Sequence, residues 1–205
     1  MPENNKTIQY LLKHLIDYIA AFGLTIILSP LLLLLSGIVY FTLGGPVFFR
    51  QIRSGKNKQP FLLYKFRTMK NNPPGKELSD FERLTPLGSF LRKSSLDELP
   101  QLINVLKGEI SLVGPRPLLP EYDTLYNNQQ KKRLLMRPGI TGWAQINGRN
   151  SLPWREKFNL DVWYIDHWSL LLDCKILFLT LIKVFTTNGI NAGQNITMDK
   201  FKGNE

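Results

Sequence analysis

The chain of 205 residues holds a single cysteine, Cys174, and two histidines. A lone thiol cannot close a disulfide within the chain and fits a reducing compartment. So few sulfur and imidazole donors also speak against a structural zinc site. Acidic residues are scarce, 16 Asp and Glu against 26 Lys and Arg, for a net charge of +10. No P-loop spacing and no G-x-G-x-x-G run occurs, so neither common nucleotide motif accounts for the excess of cations. No internal repeat or low-complexity tract is visible. An apolar content of 43% supports a packed core and argues against a disordered chain. The length suits one domain, or one domain with an appendage.

Charge and hydrophobicity are unevenly spread. From Ile19 to Leu43 there are 25 residues without a charge, enough for a helix of about 37 Å. The run begins too far into the chain for a typical secretory signal and precedes no small-residue cleavage site, so it reads as retained. Ser29-Pro30 sits near its middle, where proline deletes the hydrogen bond to the Ile26 carbonyl and bends a helix. Halves of 11 to 14 residues, roughly 17–20 Å each, are too short to span a bilayer alone. Both flanks are basic, with Lys6, Lys13 and His14 before the run and Arg50, Arg53, Lys56 and Lys58 after it. Basic flanks favour the cytoplasmic side, so a helix–break–helix that enters and leaves through one leaflet competes with a simple span. Residues 50–93 then carry eleven Lys and Arg against Glu77, Asp80 and Glu82. Such a patch suits anionic lipid headgroups or phosphorylated substrates, and the adjacent apolar run ranks nucleic acid last.

Trp168–Phe185 looks like a second span but is interrupted by Asp173, Lys175 and Lys183. Ser169, Asp173, Thr180, Lys183 and Thr187 fall on one narrow stripe at helical spacing, a pattern that suits either an interfacial helix or a core helix. The stretch 71–76, NNPPGK, reads as a loop.

The chemistry concentrates in LRKSSLDELPQLINVL, residues 91–106. Ser95-x-x-Glu98 has capping-box spacing, the purely structural reading. Pro100 fits better as the first residue of a helix, which would put Asp97 and Glu98 just ahead of a helix N-terminus. Adjacent carboxylates point differently, so one can attack or ligate while the other handles a proton or a second contact. A carboxylate is also a hard ligand for Mg2+, an ion that commonly bridges diphosphates. Cations surround this segment. Lys65 and Arg67 lie in the strand-like YKFRTM, Arg92 and Lys93 directly precede the pair, and Arg116 is fixed between two prolines in GEISLVGPRP. Arg149 follows three turn-forming glycines in RPGITGWAQINGRN. An arginine on a rigid backbone suits bidentate phosphate recognition.

Taken in order, KFRTM, LRKSSLDELPQL, SLVGPRPL and RPGITGWAQINGRN resemble the bacterial sugar transferases that act on polyprenol phosphate, the monotopic phosphoglycosyl transferases. The resemblance runs from about Tyr10 to the C-terminal tail. It implies transfer of a sugar-1-phosphate from a UDP-sugar to undecaprenyl phosphate with release of UMP, at the cytoplasmic face of the bacterial inner membrane. Asp97 matches the family's nucleophile, which forms a covalent phosphosugar–aspartate, and Glu98 matches its partner. Mg2+ is implied near Asp97, and Ser29-Pro30 matches the break of a re-entrant helix. Lys65, Arg92, Arg116 and Arg149 are assigned to the phosphates and nucleotide. The tail most resembles members that begin N-linked glycan assembly, which points to UDP-N,N′-diacetylbacillosamine as donor, while relatives that use UDP-N-acetylglucosamine, glucose or galactose share the same motifs. The expected fold is α+β and mainly helical, with a re-entrant segment over 1–48 and a catalytic domain over 49–205 ending in an interfacial helix. Inner-leaflet anionic lipids are the expected further partners, nucleic acid is not, and nothing in the sequence specifies an oligomeric state. The rival reading is a membrane-anchored basic module that binds anionic lipid or nucleic acid without chemistry.

Overall fold

The structure, a computed structural model, describes residues 3–148, 152–186 and 200–203. Two helices come first, α1 over Glu3–Ile27 and α2 over Ser29–Leu43, divided at Leu28. The break falls at the predicted Ser29-Pro30. Pro30 occupies the first turn of α2, where its missing N–H costs nothing. The Ser29 hydroxyl donates to the Ile26 carbonyl at 2.8 Å, an acceptor that proline leaves without its helical donor.

The first arm is longer than the charge-free run suggested, because α1 extends back through Asp17, His14 and Lys13. Thr7–Ile27 is therefore long and apolar enough to cross a membrane by length and composition. Its two charged residues in that stretch, Lys13 and Asp17, are docked rather than solvated. Lys13 Nζ donates to Asp173 Oδ2 at 2.6 Å, and Asp17 accepts from the Ser111 hydroxyl at 2.6 Å. Ala21 is fully buried, while Leu11, Leu15, Ile19 and Phe22 face outward. The second arm packs through Leu35 and Val39 against Phe66 and Leu91. It ends at Gly44, whose positive φ of 72° stops the helix. The Arg67 guanidinium donates to the carbonyls of Leu43, Gly44 and Gly45, satisfying acceptors that the helix end leaves open. Both outer ends of the helix pair are thus fastened to one globular body.

That body is mainly helical, as expected. Strands β1 (Phe48–Ser54) and β2 (Pro60–Phe66) form an antiparallel hairpin with Phe49 opposite Lys65 and Arg53 opposite Phe61. Two short helices follow. A reciprocal Ser79–Glu82 capping box starts α3 (Asp80–Arg83). For α4 (Pro86–Lys93), the Thr85 hydroxyl accepts from the Gly88 N–H. After a 3-10 segment at Leu96–Gln101 and α5 (Leu102–Leu106), β3 (Ser111–Val113) pairs in parallel with β4 (Gly139–Thr141). Helices α6 (Trp143–Ile146), α7 (Trp154–Asp166) and α8 (Leu170–Thr186) complete the described body. The central core joins α1, β2, α5, β3 and α8 through Leu63, Val105, Ile110, Val113 and Ile176. A separate aromatic cluster gathers Tyr122, Tyr126, Trp154, Phe158 and Phe201.

The polar stripe of α8 faces inward. Asp173 is buried and accepts from Lys13, from the Tyr164 hydroxyl at 2.6 Å and from Trp168 Nε1 at 3.2 Å. Thr180 and Thr141 share a 2.7 Å hydrogen bond. Leu171, Phe178, Leu181 and Ile182 are left pointing outward, an apolar face of the kind an interfacial helix presents to lipid. Thr187 lies outside the described residues.

Candidate active site

The two carboxylates lie in the 3-10 segment Leu96–Gln101, between the β1–β2 hairpin and α4. The expectation that Pro100 begins a helix is corrected, since Pro100 is inside this segment and α5 starts only at Leu102. A 3-10 run is short in any case, so one absent N–H costs it little. Asp97 and Glu98 therefore sit in the first turn of the segment rather than ahead of a helix. The capping-box reading also fails. Ser95 adopts the left-handed conformation, φ 58°, and makes no side-chain cap.

Glu98 turns instead to the neighbouring cations. Its Oε1 accepts from Lys65 Nζ at 2.5 Å and from Arg116 Nη2 at 3.2 Å. Lys65 arrives from the end of β2, and Arg116 from the Pro-Arg-Pro segment that follows β3. Arg92, on the last turn of α4, donates through Nε to the Thr68 hydroxyl at 3.0 Å. Thr68 lies just beyond β2, so Arg92 is held against the same strand end. The structure thus brings together Asp97, Glu98, Lys65, Arg92 and Arg116, while Arg149 falls outside the described residues.

Asp97 is 8% exposed, and among the described residues no hydrogen bond reaches its carboxylate. Burial first, then the charge of Glu98, push its pKa up to about 6, against the pull of Lys65, Arg92 and Arg116. Glu98 moves the other way. Burial alone would raise it, but Lys65 and Arg116 outweigh that and hold it well below the usual carboxylate range. Two adjacent acids are driven apart: one is a permanently charged clasp on two cations, the other an unclasped carboxylate beside them.

A small open cleft adjoins this arrangement, lined by Arg53, Lys65, Glu98, Gln101 and Arg116 among others, with Asp97 and Arg92 outside its lining. Arg53 and Gln101 were not singled out by the sequence reading. Strand alternation was the available signal for Arg53, because it shares a face of the hairpin with Lys65.

The residues present fit Mg2+ in one respect. Asp97 is a free hard oxygen donor, and Mg2+ commonly takes one or two carboxylates, with water and substrate phosphates completing its shell. Among the described residues no group of three His, Cys, Asp or Glu side chains could hold a metal, so water and substrate phosphates would supply the remaining ligands.

The family model described as bacterial sugar transferase matches residues 8–187. The chain belongs to that family. It is 51% identical over 195 residues to the uncharacterized sugar transferase EpsL of Bacillus subtilis (strain 168), covering 94% of this chain and 96% of that one. It is 41% identical to the exopolysaccharide production protein ExoY of Sinorhizobium fredii, over 86% of this chain and 87% of that one. The UDP-glucose:undecaprenyl-phosphate glucose-1-phosphate transferase of Escherichia coli (strain K12) is 41% identical over 187 residues. That match covers 85% of this chain but only 40% of the longer relative.

Proposed function

We propose that the protein is a phosphoglycosyl transferase that moves a sugar-1-phosphate from a UDP-sugar to undecaprenyl phosphate and releases UMP. The observation that carries this reading is the buried Asp97 carboxylate, free of hydrogen bonds among the described residues and surrounded by Lys65, Arg92 and Arg116. The activity named for the Escherichia coli relative supports the substrate classes.

In the first step an Asp97 oxygen attacks the β-phosphorus of the UDP-sugar. The bond from that phosphorus to the bridging oxygen breaks, and UMP leaves with the electron pair. In the second step a phosphate oxygen of undecaprenyl phosphate attacks the same phosphorus, and Asp97 departs as a carboxylate. One phosphoanhydride replaces another, so no outside energy source is needed. The barrier is the approach of a carboxylate to an anionic diphosphate, and cations in a partly water-excluded cleft lower it most. Lys65, Arg92 and Arg116 supply that charge, with Arg149 the fourth cation of the proposed set. Glu98 holds Lys65 and Arg116 in register and places a fixed negative charge beside Asp97. Mg2+, held by Asp97 and the diphosphate, would add further neutralisation.

The helix pair α1–α2 acts as a re-entrant hairpin in the cytoplasmic leaflet of the inner membrane. The anchoring of both of its outer ends to one body supports this, and so do the basic flanks, which also suit anionic headgroups. The covalent route lets a soluble nucleotide and a buried lipid use one site in turn. The donor we favour is UDP-N,N′-diacetylbacillosamine, on the resemblance of the tail. The glucose and galactosyl transfer named for relatives makes UDP-glucose and UDP-galactose the competing donors, and UMP release across a donor panel decides among them.

Wild-type protein given labelled UDP-sugar without lipid should gain the mass of a phosphosugar on Asp97, and Asp97→Asn should lose both the adduct and UMP release. Full turnover by Asp97→Asn would overturn the mechanism.

A further inference from the structure

Arg53 is a cation without a carboxylate. Its Nη2 donates to Gln51 Oε1 at 2.6 Å, yet its Nε is buried with no hydrogen-bond partner. No described acidic side chain lies within ion-pair distance of its guanidinium, and the acid nearest in the cleft, Glu98, is already taken by Lys65 and Arg116. Asp161, the next acid beyond Arg116, is bound to Arg133 at 3.0 Å. The cleft therefore holds three cations, Arg53, Lys65 and Arg116, around one carboxylate. Leaving a charged group partly buried and unpaired is costly, and evolved sites tolerate it where an anion arrives to complete them. Burial first, then the neighbouring charge of Arg116, lower the Arg53 pKa to about 10, the direction expected where cations lack their counter-ion.

Position along the hairpin says which anion. Directly opposed residues share a face, so Lys65 with Phe49 and Arg53 with Phe61 project to the same side. The two levels are four residue steps apart along β1, a distance of about 13 Å at the usual strand rise. The Lys65 end adjoins Arg67, which clasps the end of α2, and Phe48, which packs in the α2 cluster. The Arg53 end leads into Ser54, whose hydroxyl donates to Asp123 at 2.6 Å, beside the aromatic cluster of Tyr122. One end of the cleft therefore meets the membrane hairpin, and the other points away from it. A lipid phosphate must enter from the first end.

We propose that Arg53 binds the nucleotide half of the UDP-sugar, through the α-phosphate that leaves as UMP, at the end of the cleft remote from α2. This rests on the phosphoglycosyl transferase reading and adds a substrate-binding residue to it. Arg53 then takes the α-phosphate, while Lys65 and Arg116, which stand close enough to Asp97 to pull its pKa down, face the β-phosphate under attack.

The test uses the full chain in detergent or nanodiscs, with UMP alone as the binding probe and initial rates as the second measurement. Arg53→Gln should weaken UMP binding and raise KM for the UDP-sugar by about tenfold or more, the usual worth of a lost charged hydrogen bond. KM for undecaprenyl phosphate should stay unchanged. Arg53→Lys, which keeps the charge but not the fork, should fall between. The UMP-free melting temperature of Arg53→Gln should hold or rise, since an uncompensated buried charge has gone. A merely structural arginine would lower it and move both KM values together, and that result overturns the assignment. Unchanged UMP affinity in Arg53→Gln, with a wild type that binds UMP, overturns the assignment alone. A wild type that neither binds UMP nor releases it from any UDP-sugar overturns the functional reading, and this assignment with it.

Discussion

At Asp97 and Glu98 the same backbone turn produces two acids with opposite tendencies, and the difference is measurable as stability. Asp97 has a folded-state pKa of about 6 against an ordinary 3.8, so its ionised form is disfavoured in the folded protein. The penalty is absent near pH 4, grows as pH rises through 6, and is complete above about pH 7. Asp97→Asn should therefore melt higher than wild type at pH 7.5 in the presence of a chelator. The gain is on the order of 2–3 kcal/mol as an upper bound, and it should vanish as pH approaches 4. Glu98 has the reverse sign, because its lowered pKa is stability present at neutral pH and lost only in strong acid. Glu98→Gln should melt lower at pH 7.5, leaving Lys65 and Arg116 without their acceptor. Matched pH series of melting curves check both, and equal shifts for the two variants would contradict the split. The pairing of two acids was legible in DEL, residues 97–99. Their division of labour was not, because it depends on Lys65 arriving from a strand 33 positions earlier.

Among the elements, α4 is positioned by the closest backbone approach in the site. A Cβ built on Gly88 would lie 1.9 Å from the Thr68 carbonyl oxygen, and behind it is more backbone. Gly88→Ala must push α4 away from the end of β2. Arg92 would then lose the Thr68 hydroxyl, and Leu91 its packing on α2. A destabilisation of about 1–3 kcal/mol is expected for such overpacking, together with a fall in kcat/KM. Melting curves and initial rates on the same sample measure these, and normal activity would mean that Arg92 does not depend on the α4–strand contact. The position of this contact was hidden in sequence, where Gly88 reads as an ordinary small residue in PLGSFLRK. Other elements were half legible. The helix break at Ser29-Pro30 and the strand carrying Lys65 follow from local chemistry. The inward turn of the α8 stripe does not, because periodicity fixes a polar face without saying which way it points. Here Lys13 of α1 and Tyr164 of α7 supply the partners that make Asp173 an interior residue.

On the scale of the molecule, the two clasps of the N-terminal pair stand at matched distances from the break. From Lys13, clasped by Asp173, to the break at Leu28 is a rise of about 22 Å, and Ser29 to Leu43, at the Arg67 clasp, spans about the same. Each of these stretches, from clasp to break, is shorter than a hydrocarbon core of about 30 Å, although α1 as a whole is not. A straight span would require one clasp to open, and separating Lys13 from Asp173 would strand a buried charge at a cost of about 3–5 kcal/mol. A pair folded back at Leu28 would keep both clasps at one depth and would place the exposed apolar faces of the arms, among them Leu15, Phe22, Leu33 and Phe41, in lipid. The topology is tested by placing single cysteines at Thr7 and Lys58 in a Cys174→Ser background and adding an impermeant maleimide to sealed vesicles. The hairpin requires both positions to react in inverted inner-membrane vesicles and neither in intact spheroplasts. Labelling of Thr7→Cys and Lys58→Cys from opposite faces would mean that the chain crosses the bilayer, and that Asp173 and Arg67 do not hold the two ends of one hairpin.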